Sequence, residues 1–227
     1  MFSRFFKNAP AEIGRQIRAK ERSKMKRVMQ GAILAVSLVV ALLVPARSWA
    51  GGIKGKVSVQ GIKSAENIVV YVDAIAGKKF DPPAEHVVID QRRMAFVPHV
   101  TVVLRGATID FVNSDSVGHN VYWPSISGNK KLGHNLGTWP KGEKKSFQFD
   151  VPGFASILCN VHPEMSGYIV IVSTPYFAVT DMDGSFEIKG VPPGTYTLKT
   201  WSEDGKVVTQ PVTVASSTAN VELTVKK

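Results

Sequence analysis

The sequence predicts an all-β protein, an antiparallel sandwich or barrel followed by a smaller β domain. Three observations carry this. Beyond residue 50 no stretch repeats its apolar residues at helical spacing. The same region is cut by Gly, Pro, Asn and Asp into short runs that alternate apolar and polar residues. Runs this short and frequent, with no helices between them, pack as antiparallel layers.

The first 50 residues stand apart. They hold 10 Lys/Arg and 2 Asp/Glu, so most of the net charge of +10 sits there, and the remainder gives no ground for nucleic-acid binding. Lys20, Arg22, Lys24, Lys26 and Arg27 precede the apolar run of residues 31–44, and small Ser48 and Ala50 follow at cleavage-site spacing. This is the form of a secretory signal, expected to be cut after Ala50 to leave a periplasmic chain. The run has 14 residues, short of the roughly 20 a spanning helix needs. Membrane contact is therefore expected only if the leader is retained. The leader has no Arg-Arg pair, and Met25 offers an alternative start.

The strands follow in order. Residues 52–59, 67–74 and 86–90 come first, then 99–106, 107–113 and 119–123, then 144–150, 154–160 and 167–172. In the run after Lys144, Phe147, Phe149 and Val151 share one face. Near Pro175 the pattern changes to compact hairpins. Asp183-Gly184 between alternating runs marks a tight turn, and Pro192-Pro193-Gly194 and Asp204-Gly205 mark two more. Residues 51–174 are thus expected to form one domain and 175–227 a second, near the lower size limit for folding alone and so expected to pack on the first. Asp181-Met182-Asp183-Gly184 opens like a calcium loop but lacks the closing glutamate and flanking helices, so it reads as a plain turn.

The chemistry lies around Cys159, the one cysteine in the chain. An exported thiol with no partner is open to oxidation, unless it is buried as a small apolar group or something holds it. His162 and Met165 follow at intervals of three residues. Thiolate, imidazole and thioether together lack one imidazole of the trigonal copper set of two His, one Cys and a weak axial Met. Zinc more often takes several Cys, or several His with a carboxylate. His119, at the start of a distant run, supplies the missing ligand, and a ligand from the scaffold fixes the geometry.

Residues 119–123 (HNVYW) and 156–172 (SILCNVHPEMSGYIVIV) resemble the cupredoxins, and the Cys-x-x-His-x-x-Met spacing with Pro163 resembles the short amicyanin-type loop. The resemblance implies a Greek-key β-sandwich and one type 1 copper per chain, held by His119, Cys159, His162 and Met165. It also implies that Asn120 ties its strand to the Cys loop. Some 68 residues separate Gly51 from His119, more than such a domain needs, which implies an extra N-terminal strand or hairpin. Residues 181–201 resemble the carboxypeptidase regulatory-like, transthyretin-type sandwich.

Other residues read more plainly. His99 is either an accessory ligand or a strand residue bonded to a neighbour, with the second favoured. His134 is expected in a solvated loop, His86 in a structural role and Met94 in the core. Asp115 and Glu164 flank the site as surface charge or as support behind the ligands, because carboxylates are hard donors poorly suited to cuprous ion. Tyr122, Trp123 and Trp139 either line the site or pack. The basic run 140–147 is a solvated hairpin tip or a docking patch for an acidic partner.

The expected function is single-electron transfer to a transient redox protein partner. A carrier or sensor binding Cu(I) with the same ligands is the alternative. An enzyme is not expected, since a single Cys and the absence of any His-x-His pair leave no ligands for a second catalytic copper.

Overall fold

The computed structural model describes residues 20–22, 24–25 and 51–227. The chain divides into two units, Met1–Arg47 and Ser48–Lys227. The expected apolar signal run and its cleavage point lie outside the described residues. Among the described residues no helix is long and apolar enough to cross a membrane.

The second unit holds sixteen strands. They are β1 (Gly51–Gln60), β2 (Val69–Val72), β3 (Val87–Gln91), β4 (Phe96–Val97), β5 (Val100–Leu104), β6 (Thr108–Asn113), β7 (His119–Trp123) and β8 (His134–Trp139). Then follow β9 (Lys144–Gln148), β10 (Gly153–Leu158), β11 (Ser166–Val172), β12 (Phe177–Val179), β13 (Ser185–Val191), β14 (Gly194–Trp201), β15 (Thr209–Val214) and β16 (Ala219–Lys226).

A five-stranded sheet in the order β5-β11-β10-β7-β8 and a four-stranded sheet in the order β4-β3-β6-β9 make the first sandwich. Alternation along each strand sends one set of side chains inward, and Ile89, Phe111, Trp123, Trp139, Phe149, Ile157 and Ile169 meet there as a buried core. Phe147 packs against that core and Phe149 lies inside it. Val151, beyond the end of β9, is exposed.

The second sandwich differs from the expected division. Its sheets are β13-β1-β16 and β12-β2-β14-β15. The segment 51–72, expected in the first domain, pairs instead with the C-terminal strands. β1 lies between β13 and β16, with Gly55 opposite both Phe186 and Val221. Ile53 and Val57 of β1 and Val70 and Val72 of β2 are buried with Phe186, Ile188, Leu198 and Leu223. The physical reason is that β1 buries one apolar face, and the layer that covers it is the sheet β12-β2-β14-β15, while β13 and β16 take up its two edges. The surplus N-terminal residues are thus strands of the second sandwich.

The sheets are also mixed, whereas antiparallel pairing was expected. β1 with β16, β3 with β6 and β5 with β11 are parallel. A period of two fixes which face is buried and is silent on strand direction. The sandwiches meet through Val69 and Trp201 from one and Val100, Val170 and Val172 from the other.

Candidate metal centre

Cys159 follows the last residue of β10, and His119 opens β7, the strand beside it. The cross-strand pair Leu158–Tyr122 fixes their register. After Cys159 the chain turns tightly, and the Met165 N–H donates to the His162 carbonyl at 3.0 Å. The turn returns His162 toward β7 and leads into β11.

Three donor atoms converge. His119, Cys159 and His162 each offer one ligand atom within 4.8 Å of the others. The Nδ1 atoms of His119 and His162 lie 2.9 Å apart, and the Cys159 Sγ is 3.9 Å from His162 Nδ1. His119 and Cys159 are buried, while His162 is partly exposed. Met165 is 1% exposed and belongs to the same apolar cluster as Cys159.

The donor set fits a soft transition metal. The Asp115 carboxylate oxygen Oδ2 lies 2.9 Å from His119 Nε2. An ionised carboxylate only accepts, so Nε2 carries the proton and Nδ1 keeps its lone pair toward Cys159 and His162. Two imidazole nitrogens beside one thiolate match copper in type and number.

The surrounding hydrogen bonds hold this arrangement. The Asn120 N–H donates to the Cys159 sulfur at 3.4 Å. The Asn120 side chain accepts from the Asn160 N–H at 3.3 Å and donates to Asn135 Oδ1 at 2.9 Å. Asn120 thus bridges β7, the Cys loop and β8. Asn113, which sequence reasoning passed over, is fully buried. Its Nδ2 donates to the carbonyls of Val117 and Trp139, at 2.8 and 3.0 Å, and its Oδ1 accepts the Asp115 N–H at 2.9 Å. Its signal was present, since Asn at the start of a loop commonly bonds the backbone two residues on.

Asp115 sits in the loop between β6 and β7, its carboxylate held from the far side by the β3–β4 turn. The Arg93 N–H donates to Oδ1 at 2.6 Å and the Met94 N–H to Oδ2 at 2.9 Å. Burial pushes the Asp115 carboxyl up, but the Met94 and Arg93 amides and the His119 ring together hold it below the ordinary aspartate value. Asp115 therefore braces the His119 ring. Glu164 is exposed.

The remaining candidates fall outside the cluster. His99 lies 3.3 Å from Glu203 Oε2, and its ring meets Tyr168 edge-on, at the junction of the two sandwiches. His86 Nδ1 contacts Asp110 Oδ1 at 2.9 Å, as a structural histidine should. His134 was expected in a loop but opens β8, pairs with Trp123, and packs its ring 4.8 Å from that of Phe147. Met94 was expected in the core and is 37% exposed, because it occupies the turn between β3 and β4. Trp123 and Trp139 are buried packing residues. In the basic run, Lys144 bonds Asp110, and Lys145 donates to the Leu136 carbonyl while lying over the Trp139 ring.

Residues 84–172 match the family of copper binding proteins, plastocyanin/azurin family. Residues 171–221 match polysaccharide lyase family 4, domain II, where a carboxypeptidase regulatory-like module was expected. Similar solved structures include a reduced Cu(I) form of an amicyanin variant at pH 4, with 23% identity over 40% of this chain and 91% of that one at a TM-score of 0.36. Another is an oxidised methionine-to-lysine variant of amicyanin, with 20% identity over 47% of this chain and 99% of that one, also at 0.36. No curated protein matches the chain significantly. The family match, the paired sheets and the His-Cys-His cluster together make residues 84–172 a cupredoxin domain.

Proposed function

We propose that the protein is a periplasmic type 1 copper protein that carries single electrons, with one copper per chain held by His119, Cys159, His162 and Met165. The observation that carries this reading is the convergence of two imidazole Nδ1 atoms, 2.9 Å apart, beside the one thiol of the chain. Copper bound there would supply a one-electron couple between Cu(II) and Cu(I). The protein supplies a rigid set of donors. His119 is fixed by Asp115, and the Cys159 sulfur is fixed and partly neutralised by the Asn120 amide. Met165, buried in the same core cluster as Cys159, is the weak axial ligand.

His162 is the one partly exposed member of the cluster, so it is the point of electron entry and exit for a transient redox protein partner. The basic leader with its apolar run supports export to the periplasm. A single Cys gives no ligands for a second catalytic copper, so we read the protein as a carrier and not an enzyme.

The test is the visible spectrum of the purified protein with Cu(II). An intense thiolate-to-copper band, lost in Cys159→Ser and in His119→Ala, is the expected result. Copper should also stay bound through repeated reduction and oxidation. A weak, thiolate-independent spectrum would overturn the reading. Rapid surrender of Cu(I) to a competing chelator would point to a carrier of copper instead of electrons.

A further inference from the structure

The geometry points to Asp115 as a positioning residue that fixes the His119 tautomer and sets the redox balance of the centre, with the Arg93–Met94 turn built to grip it. This rests on the copper reading above and adds a role for residues outside the ligand set.

Two observations carry it. The first is the convergence of donors on Asp115. Its two oxygens take the Arg93 and Met94 amides and face the His119 ring, with distances of 2.6, 2.9 and 2.9 Å. Among the described residues its one ion-pair contact is His119. Among those residues no lysine or arginine side chain neutralises it, so its charge acts on that ring.

The second is the conformation of the turn. Arg93 and Met94 have φ of 55° and 60°. Arg92 and Ala95 exchange backbone hydrogen bonds of 2.9 and 3.3 Å across them. Two consecutive left-handed residues make the tight turn that hairpins favour, usually with Asn and Gly at these positions. Residues with a Cβ pay a steric penalty there. Here that conformation turns both amides to the same side, as an anion-binding nest does. Strained backbone persists where the surroundings over-determine it, and such places cluster at functional sites.

An anionic partner on the remote nitrogen raises the basicity of the ligating one. That stabilises Cu(II) more than Cu(I) and lowers the reduction potential. Asp115→Asn keeps the size and removes the charge. It should shift the ratio of Cu(II) to Cu(I) affinity by about tenfold toward Cu(I), which raises the potential by about 59 mV.

The experiment has two readouts. In metal-free full-length protein, nitrogen NMR at a pH where the ring is neutral should show His119 wholly as the Nε2–H tautomer, and Asp115→Asn should mix the two forms. The wild-type spectrum alone is decisive if the variant fails to fold, because an Nδ1–H tautomer overturns the inference. In copper-loaded protein, Asp115→Asn should keep the thiolate band and raise the potential. An unchanged potential and unchanged tautomer in Asp115→Asn would refute the positioning role. A wild type without the thiolate band would refute the copper reading while leaving the tautomer result to decide this one.

Discussion

Gly55→Ala tests the placement of β1. Gly55 lies in β1, opposite Phe186 on one side and Val221 on the other. A Cβ built there falls 1.9 Å from the Val221 carbonyl oxygen and 3.1 Å from the Phe186 ring. A carbon–oxygen contact needs about 3.3 Å, so β1 and β16 must part by roughly 1.4 Å at that point. The obstacle is backbone, and no rotamer change relieves it. Ladder hydrogen bonds stretched by that amount exceed the usual limit. Losing about two of them, at about 1 kcal/mol each, adds to an overpacking cost of about 1–3 kcal/mol. The expected destabilisation is about 3–5 kcal/mol. For a sandwich of 60–100 residues each kcal/mol moves the midpoint by about 4–8 °C, so the transition of the second sandwich should fall by about 12 °C or more. Calorimetry with far-UV circular dichroism reads this, and the copper band at 25 °C should survive. A melting profile within about 2 °C of wild type would refute the β1–β16 register. Loss of the copper band from a protein still folded at 25 °C would show that β1 supports the first sandwich after all.

Two further outcomes follow from individual side chains. Hydrogen bonds from Lys144 and Ser146, with His86 adding to them, hold the Asp110 carboxyl well below the usual carboxylate range although burial opposes this. A depressed folded-state value adds stability above the ordinary aspartate pKa of about 3.9 and loses it as pH falls through the folded value. Asp110→Asn should therefore cost about 1–2 kcal/mol at pH 7, with the difference from wild type closing as the pH falls below about 4. Urea titrations at several pH values check it, and a constant difference down to pH 2 would contradict the assignment. Met165→Leu conserves volume and should cost less than about 1.5 kcal/mol. It should keep the thiolate band and raise the reduction potential by about 60 mV or more, because a weak axial donor that favours Cu(II) is removed. Cyclic voltammetry reads the potential, and an unchanged value would remove Met165 from the ligand set.

Most strand positions were legible because a half-buried strand repeats with period two. The run 119–123 coincides with β7, and 167–172 falls within β11. Strand β8 was not legible, and its burial shows why. It is an edge strand, and of its six residues Trp139 alone is fully buried. An edge carrying His134, Asn135 and Gly137 has no alternation to read. Partnership was equally hidden. β1 announces through Ile53 and Val57 that one face is apolar, but its parallel partner β16 lies more than 150 residues along the chain. Local pattern holds no information about which distant strands will pair with its edges or which layer will cover that face.

The centre divides in the same way. Donor type and spacing along residues 159–165 are local, so Cys159, His162 and Met165 could be read directly as candidate donors, and His119 was sought for want of a second imidazole. What steadies His119 is not local. Asp115 stands in the loop that carries the chain from β6, in one sheet, to β7, in the other. The amides that hold it come from the β3–β4 turn, on the edge of the four-stranded sheet. The His119 ring on one layer is thus braced through a carboxylate by a turn on the opposite layer. Met94 shows the consequence most plainly. Its side chain suggested core packing, yet its contribution is a backbone N–H, which any residue but proline provides. A role carried by backbone geometry leaves no mark in side-chain identity. The left-handed φ of Arg93 and Met94 ties the turn to the site, and it is visible only once the chain is folded.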